Sequence, residues 1–162
     1  MADQYMQDAL ERQKNLKTIE YFLTLTGPDR GEKRKPLFTD DAKFQMKRPI
    51  DYVKNQGVWQ LPVKEWLEVS VDISPIWGFY ESMIYQCEDP HKFLVTAVGR
   101  GQRKKWAAAR IDTSIQFTED DKNDPVPAYT PYIIYFLMED GKIKLFREID
   151  NPCENPRELR DL

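Results

Sequence analysis

Apolar residues recur at helical spacing between Asp3 and Thr26, at Met6, Leu10, Leu16, Ile19, Phe22 and Leu23, and Gly27-Pro28 supplies a stop signal after them. The pattern predicts a long amphipathic first helix. A short second helix is predicted from Asp29 to Leu37, rich in Arg30, Lys33, Arg34 and Lys35 and ending before Phe38-Thr39-Asp40-Asp41. Phe44 and Met46 then alternate with Lys43, Gln45 and Lys47, a short strand signal. Pro62 to Ile73 carries Val63, Trp66, Leu67, Ser70 and Val71 with acids on other bearings, which predicts a third helix closed by Ser74-Pro75. Trp77 to Cys87 and Phe93 to Val98 are aromatic and β-branched runs joined by an Asp-Pro turn, the pattern of a hairpin. A second hairpin is predicted where Tyr132 to Met138 and Ile143 to Ile149 flank Asp140-Gly141, the strongest such signal in the chain. Between the hairpins the pattern is ambiguous from Gln102 to Pro131. Ile111 to Phe117 fits a strand, and Glu119 to Pro125 reads as a charged, turn-rich loop. A polar tail follows Asn151.

Helices come first, strands joined mainly by hairpins follow, and no strand-helix alternation or internal repeat intervenes. That order predicts an α+β fold with an antiparallel sheet rather than a doubly wound one. A strongly curved sheet wrapped by the N-terminal helices makes a cone-shaped barrel with an apolar pocket at one end, suited to a small cyclic ligand. The 162 residues are read as one such domain, long enough to bury a core without disulfide or metal staples.

Charge narrows the function classes. With 24 Lys plus Arg against 27 Asp plus Glu, a formal charge of -3, the chain is a poor nucleic-acid binder. The local cluster Arg100, Arg103, Lys104 and Lys105 reads as a solvated loop, with phosphate contact as the alternative. No apolar run approaches the roughly 20 residues of a membrane helix, and Met1 to Gln7 has no signal-peptide character, so a soluble, cytoplasmic protein is expected. The only histidine is His91, in a polar turn, and the two cysteines, Cys87 and Cys153, are far apart. No metal site and no Ser-His-Asp arrangement is spelled out. The seven glycines form no phosphate-cradling motif, so no cofactor is expected.

Five residues are candidates for chemistry. Strand alternation puts Lys144, Phe146 and Glu148 on one face of the last strand and Ile143, Leu145, Arg147 and Ile149 on the other. If both faces are covered, Glu148 or Arg147 must project inwards. A carboxylate in an apolar cavity is a candidate proton carrier, because burial disfavours its charged form. The alternative is a rim Glu148 paired with a neighbouring cation. Arg34, one helical turn before Phe38, is placed to hold a ligand carboxylate bidentately, or is simply one cation of a basic helix. Trp66 and Ser70 are four apart and share a helical face, so both can line one wall; a core tryptophan above a hydroxyl bonded to its own helix is the plainer reading. Asp41, with Asp40, stands at a helix-to-strand corner where aspartates commonly bond turn amides, and is carried as a ligand-contact candidate.

The chain resembles the phenazine biosynthesis A/B family, a branch of the SnoaL-like, nuclear-transport-factor-2-type cone fold. The matching stretches are Lys17-Thr18-Ile19-Glu20, Leu37-Phe38-Thr39-Asp40-Asp41, the Pro75 to Trp77 corner, Glu88-Asp89-Pro90 with Phe93, Gly141-Lys142-Ile143-Lys144, and Arg147-Glu148 through Asn151-Pro152-Cys153-Glu154. The resemblance runs from about Lys14 to Cys153 and is weak between Gln102 and Ala128. It implies a homodimer whose cone binds a carboxylated cyclohexenone bearing an amine and assists condensation of two such molecules by acid-base catalysis of imine formation. By the same resemblance the acid-base glutamate is Glu148, the pocket serine Ser70 and the carboxylate-contacting arginine Arg34. The family's pocket histidine falls on Trp66, and a tryptophan stacks on a ring but carries no proton. The implied alternatives are a non-catalytic module that binds or delivers a cyclic or aromatic carboxylate, and a structural partner of a catalytic paralogue.

Overall fold

The computed structural model describes residues 1–47, 59–109 and 112–150. Helix α1 spans Ala2–Thr24, α2 Arg30–Arg34, β1 Phe38–Lys47, β2 Trp59–Pro62, α3 Val63–Ile73, β3 Ile76–Gln86, β4 Lys92–Lys104, α4 Lys105–Ala108, β5 Pro125–Glu139 and β6 Lys142–Asp150. A 3-10 turn, Lys35–Leu37, joins α2 to β1. The strands form an open six-stranded sheet in the order β2-β1-β6-β5-β4-β3. Every pairing is antiparallel except β1 with β6, so the sheet is mixed and the fold α+β, as expected.

The two hairpins form for local reasons. Asp140 and Gly141 have φ of 51° and 73°, successive left-handed residues that suit a two-residue turn between β5 and β6. At the β3–β4 turn the Asp89 carboxylate accepts the His91 backbone N–H at 2.9 Å, an Asx turn. Helix α1 is tied to the tips of both. Arg12 donates to Cys87 O and Glu88 O at 2.7 and 2.9 Å, buried Asn15 to Pro90 O at 3.0 Å, and Thr18 to Gly141 O at 2.6 Å. Beyond those anchors Ile19, Phe22 and Leu23 lie buried on the inner face of the sheet. Before them Met6 and Leu10, predicted on its apolar face, are 64% and 61% exposed among the described residues.

The region between the hairpins differs most from expectation. Strand β4 continues to Lys104 and β5 begins at Pro125, the two paired throughout, whereas residues 112–117 are turn and coil rather than strand. Ile111, the polar tail from Asn151 and the matched stretch Asn151 to Glu154 lie outside the described residues. The basic cluster is no free loop. Arg100 pairs with Glu81 at 2.7 Å, Lys104 with Asp72 at 2.8 Å and Lys105 with Asp121 at 2.6 Å, while Arg103 turns to the inner face. Edge strand β3 has its own irregularity, a register shift between Tyr80 and Met83, with Glu81 at φ 52°.

Strand β6 departs from simple alternation. Its register against both β1 and β5 shifts at Lys144, so Ile143 and Phe146 are both buried and Lys144 leaves the face predicted for it with Phe146 and Glu148. Lys144 instead pairs with Glu139 on the outside at 2.7 Å.

Candidate functional site

The inner face is layered along the strands. Phe44, Phe146, Phe136 and Phe93 are cross-strand neighbours in one row, and Met46, Glu148, Ile134 and Val95 form the next. Farther along come Tyr132 opposite Ala97, then Thr130 and Phe79 either side of Gly99, then Trp77 opposite Gly101. Gly99 clears space for rings, since a Cβ there would strike Tyr132 and Trp77, and at Gly101 a Cβ would strike the Ile76 backbone. The phenylalanine rows thus give way to a layer in which aromatic rings meet polar side chains.

Arg34 lies against Phe79 of that layer, and Glu148, from the row before it, acts on Arg34 electrostatically. Glu148 is 6% exposed, flanked in the sheet by Met46 and Ile134, and Arg34 is 1% exposed. The Arg34 guanidinium lies 4.2 Å over the Phe22 ring and 5.5 Å from Phe79, and its Nη2 donates to Leu25 O at 2.8 Å. Burial and the neighbouring Arg30 push Arg34 down to about 9, and the Glu148 carboxylate opposes them. The sequence-predicted acid and cation therefore feel each other inside the fold. Arg147, the other possible inward residue, takes the outer face and donates to Gln45 at 2.8 Å.

The remaining predicted residues do not join them. Trp66 stacks on Phe44, centroids 4.5 Å apart and planes at 11°, and lies 4.9 Å from Phe146, so it belongs to the aromatic core. Ser70 donates to Leu67 O of its own helix at 3.2 Å. Asp41 is on the outer surface, where Thr39 donates to it at 2.9 Å and, with its own backbone N–H, holds its carboxyl below the usual range. It lines an external groove of about 480 Å³ with Glu32, Lys35, Lys43, Lys64 and Lys142. A second groove, about 580 Å³, runs between α1 and β3 past Leu23, Phe79 and Tyr80. Neither groove is lined by Glu148 or Arg34.

Sequence reasoning missed three partners of this layer. Arg30, 2% exposed, donates to Pro75 O at 3.1 Å and Ser70 O at 2.9 Å, tying α2 to the end of α3. Arg103 lies 4.1 Å over Trp77 and donates to the Tyr132 hydroxyl at 2.8 Å. Thr130, opposite Gly99, is also buried. The available signal was period-2 alternation: carried past Val98, it places Arg103 on the face of Phe93, Val95 and Ala97.

Similar proteins fit this architecture. No family model matches the chain. Phenazine biosynthesis protein PhzA2 of Pseudomonas aeruginosa is 28% identical over 164 residues, which cover 94% of this chain and 85% of that one. The crystal structure of the phenazine biosynthesis-related protein PhzB2 from the same species superposes with a TM-score of 0.71 at 21% identity, covering 96% of this chain and 91% of the other. A protein from Jannaschia described as a SnoaL-like polyketide cyclase superposes with a TM-score of 0.51 at 9% identity, covering 84% of each chain.

Proposed function

We propose, for a chain that resembles the phenazine biosynthesis A/B proteins over nearly its whole length and has the SnoaL-like cone fold, that the cone binds a cyclic carboxylic acid and moves protons on it. Arg34 receives the carboxylate, and Glu148 takes and returns the proton in condensation or isomerisation of a cyclic amino-keto acid. The observation that carries this reading is the placement of one carboxylate and one guanidinium, both more than nine-tenths buried and electrostatically coupled, on the inner face. Trp66, stacked on Phe44 and against Phe146, backs the aromatic wall; Ser70 and Asp41, bonded to their own helix and to Thr39, have no part in this reading.

No helix among the described residues is long and apolar enough to cross a membrane. The cytoplasm is the proposed place of action and a homodimer the proposed form; exposed Leu94 and Ile133 on the outer sheet face supply apolar surface for self-association. A second reading, a binding or delivery module without turnover, is favoured by Trp66: where the resembled family has a proton-carrying histidine, this chain has a stacked ring.

Incubating wild type and Glu148→Gln with a cyclic amino-keto carboxylic acid separates the two readings by mass spectrometry of the products. Turnover by wild type that falls at least a hundredfold in Glu148→Gln supports catalysis by Glu148. Binding without any product, identical in both proteins, supports the delivery module.

A further inference from the structure

Arg34 and Glu148 are 1% and 6% exposed, so a ligand that reaches them must first displace a side chain. On the α1–β3 side one ring bridges the distance. Phe79 lines the groove of about 580 Å³ there with Leu23, Thr26, Tyr80 and Ser82, and the centre of the same ring is 5.5 Å from the Arg34 guanidinium. It also stacks on Phe22 at 6.2 Å and meets the Tyr132 ring edge-on at 5.5 Å. From the other groove the way is one ring longer. Phe38 lines that groove and touches Phe22 at 5.9 Å, and it is Phe22 that lies 4.2 Å under the guanidinium.

The groove beside Phe79 suits passage rather than residence. The charged residue in its lining is Glu20 and no cation lines it, so a carboxylate finds no opposite charge before Arg34. The backbone next to the ring is suited to yield. Among the described strands β3 is an edge, paired with β4 alone. Tyr80 pairs with Val98 and Met83 with Thr96, which leaves one extra residue on β3, and Glu81 has a φ of 52°. Strained backbone of this kind gathers at clamps and switches. The residue paired with Phe79 on β4 is Gly99, which brings no side chain against it.

We propose that the groove between α1 and β3 is the entrance to Arg34 and that Phe79 is its door: the ring turns aside to admit a ring-bearing carboxylate and closes behind it, shutting out water. The inference rests on the reading that Arg34 receives the carboxylate. A door is a barrier crossed in both directions, so it sets the rates of entry and exit and leaves the affinity to the contacts inside.

The test is fluorine NMR of 4-fluorobenzoate with the full chain, in which titration gives the affinity and line shapes the exchange rates. Phe79→Ala is expected to raise association and dissociation together, by about tenfold or more. Ser82→Trp, which crowds the groove, should lower both at least about threefold, whereas Lys64→Trp, in the other groove, should change neither. Thermal melts check that each variant is folded; should Phe79→Ala not fold, the comparison of Ser82→Trp with Lys64→Trp decides alone. An association rate unchanged in folded Phe79→Ala, or slowed by Lys64→Trp and not by Ser82→Trp, overturns the entrance while the Arg34 reading stands. If 4-fluorobenzoate does not bind, or binds Arg34→Gln as tightly as wild type, the carboxylate reading itself fails and the entrance falls with it.

Discussion

Replacing Trp66 by His tests how the aromatic core is held. The indole is 7% exposed, stacked on Phe44 at 4.5 Å and against Phe146 at 4.9 Å. A buried tryptophan removes about 200 Å² from water, and an imidazole replaces roughly half of it. At about 25 cal/mol per Å² the lost burial amounts to about 2.5 kcal/mol. Weakened stacking with two rings adds about 1 kcal/mol, and an imidazole nitrogen left without a partner about 1 kcal/mol more. The sum, about 4 to 5 kcal/mol, corresponds to a fall in melting temperature on the order of 10 °C for a chain of this size. Trp66→Phe, which keeps a ring in the stack, should cost about 1 to 2 kcal/mol. Circular dichroism melts and urea unfolding at pH 7 measure both. If Trp66→His melts within 2 °C of wild type, or no lower than Trp66→Phe, the stacking argument is wrong and Trp66 stands in open space available to a ligand.

Three further outcomes are expected. A Cβ at position 101 would run into the Ile76 carbonyl, so Gly101→Ala should separate β3 from β4 and lower stability by roughly 3 kcal/mol or more, seen as a lower urea midpoint. A hydrogen bond from Lys105, reinforced by Thr118, holds Asp121 down to about 2, so its stabilisation is present above the usual carboxylate range and lost as pH falls through about 2. Asp121→Asn should accordingly melt below wild type at pH 7, with the gap closing towards pH 2; a gap independent of pH would count against the pairing. Benzoate binding to Arg34 requires the protonated guanidinium, held down to about 9, so affinity should fall about tenfold per pH unit above that value and be flat between pH 6 and 8. Titration across that range, with Arg34→Lys as the comparison, checks the assignment.

The sequence was most informative where one local rule decided the outcome. Asp140-Gly141 specified its hairpin because two left-handed residues in succession are rare outside such turns. Helix α1 was legible from its 3.6-residue period, although Met6 and Leu10 show that a period cannot tell which turns of a helix are covered. Glu148 was placed inwards as one of two alternatives, and the bulge at Lys144 upset the phase only before Phe146. Arg103 was illegible for a different reason. Four basic residues at 100 and 103–105 outweighed the alternation they sit in, and only the continued pairing of β4 with β5 shows that one of them faces inwards. The 3.6-residue period likewise put Trp66 and Ser70 on one face, but could not show that the indole would fill the space between Phe44 and Phe146.

An open sheet leaves two strands with unpaired amides along one side, and β3 is the longer of the two. It exposes Tyr80, Met83 and Tyr85, a composition that invites another chain to zip on. The shift between Tyr80 and Met83 interrupts that row, because Glu81 in a left-handed conformation turns the strand and its carboxylate is held by Arg100. The kink acts as a guard against templated fibre growth. A chain from which Glu81 is deleted would regain a straight donor-acceptor ladder along this side, and it is this variant, rather than one altered in the core, that would be expected to assemble end on end at high concentration.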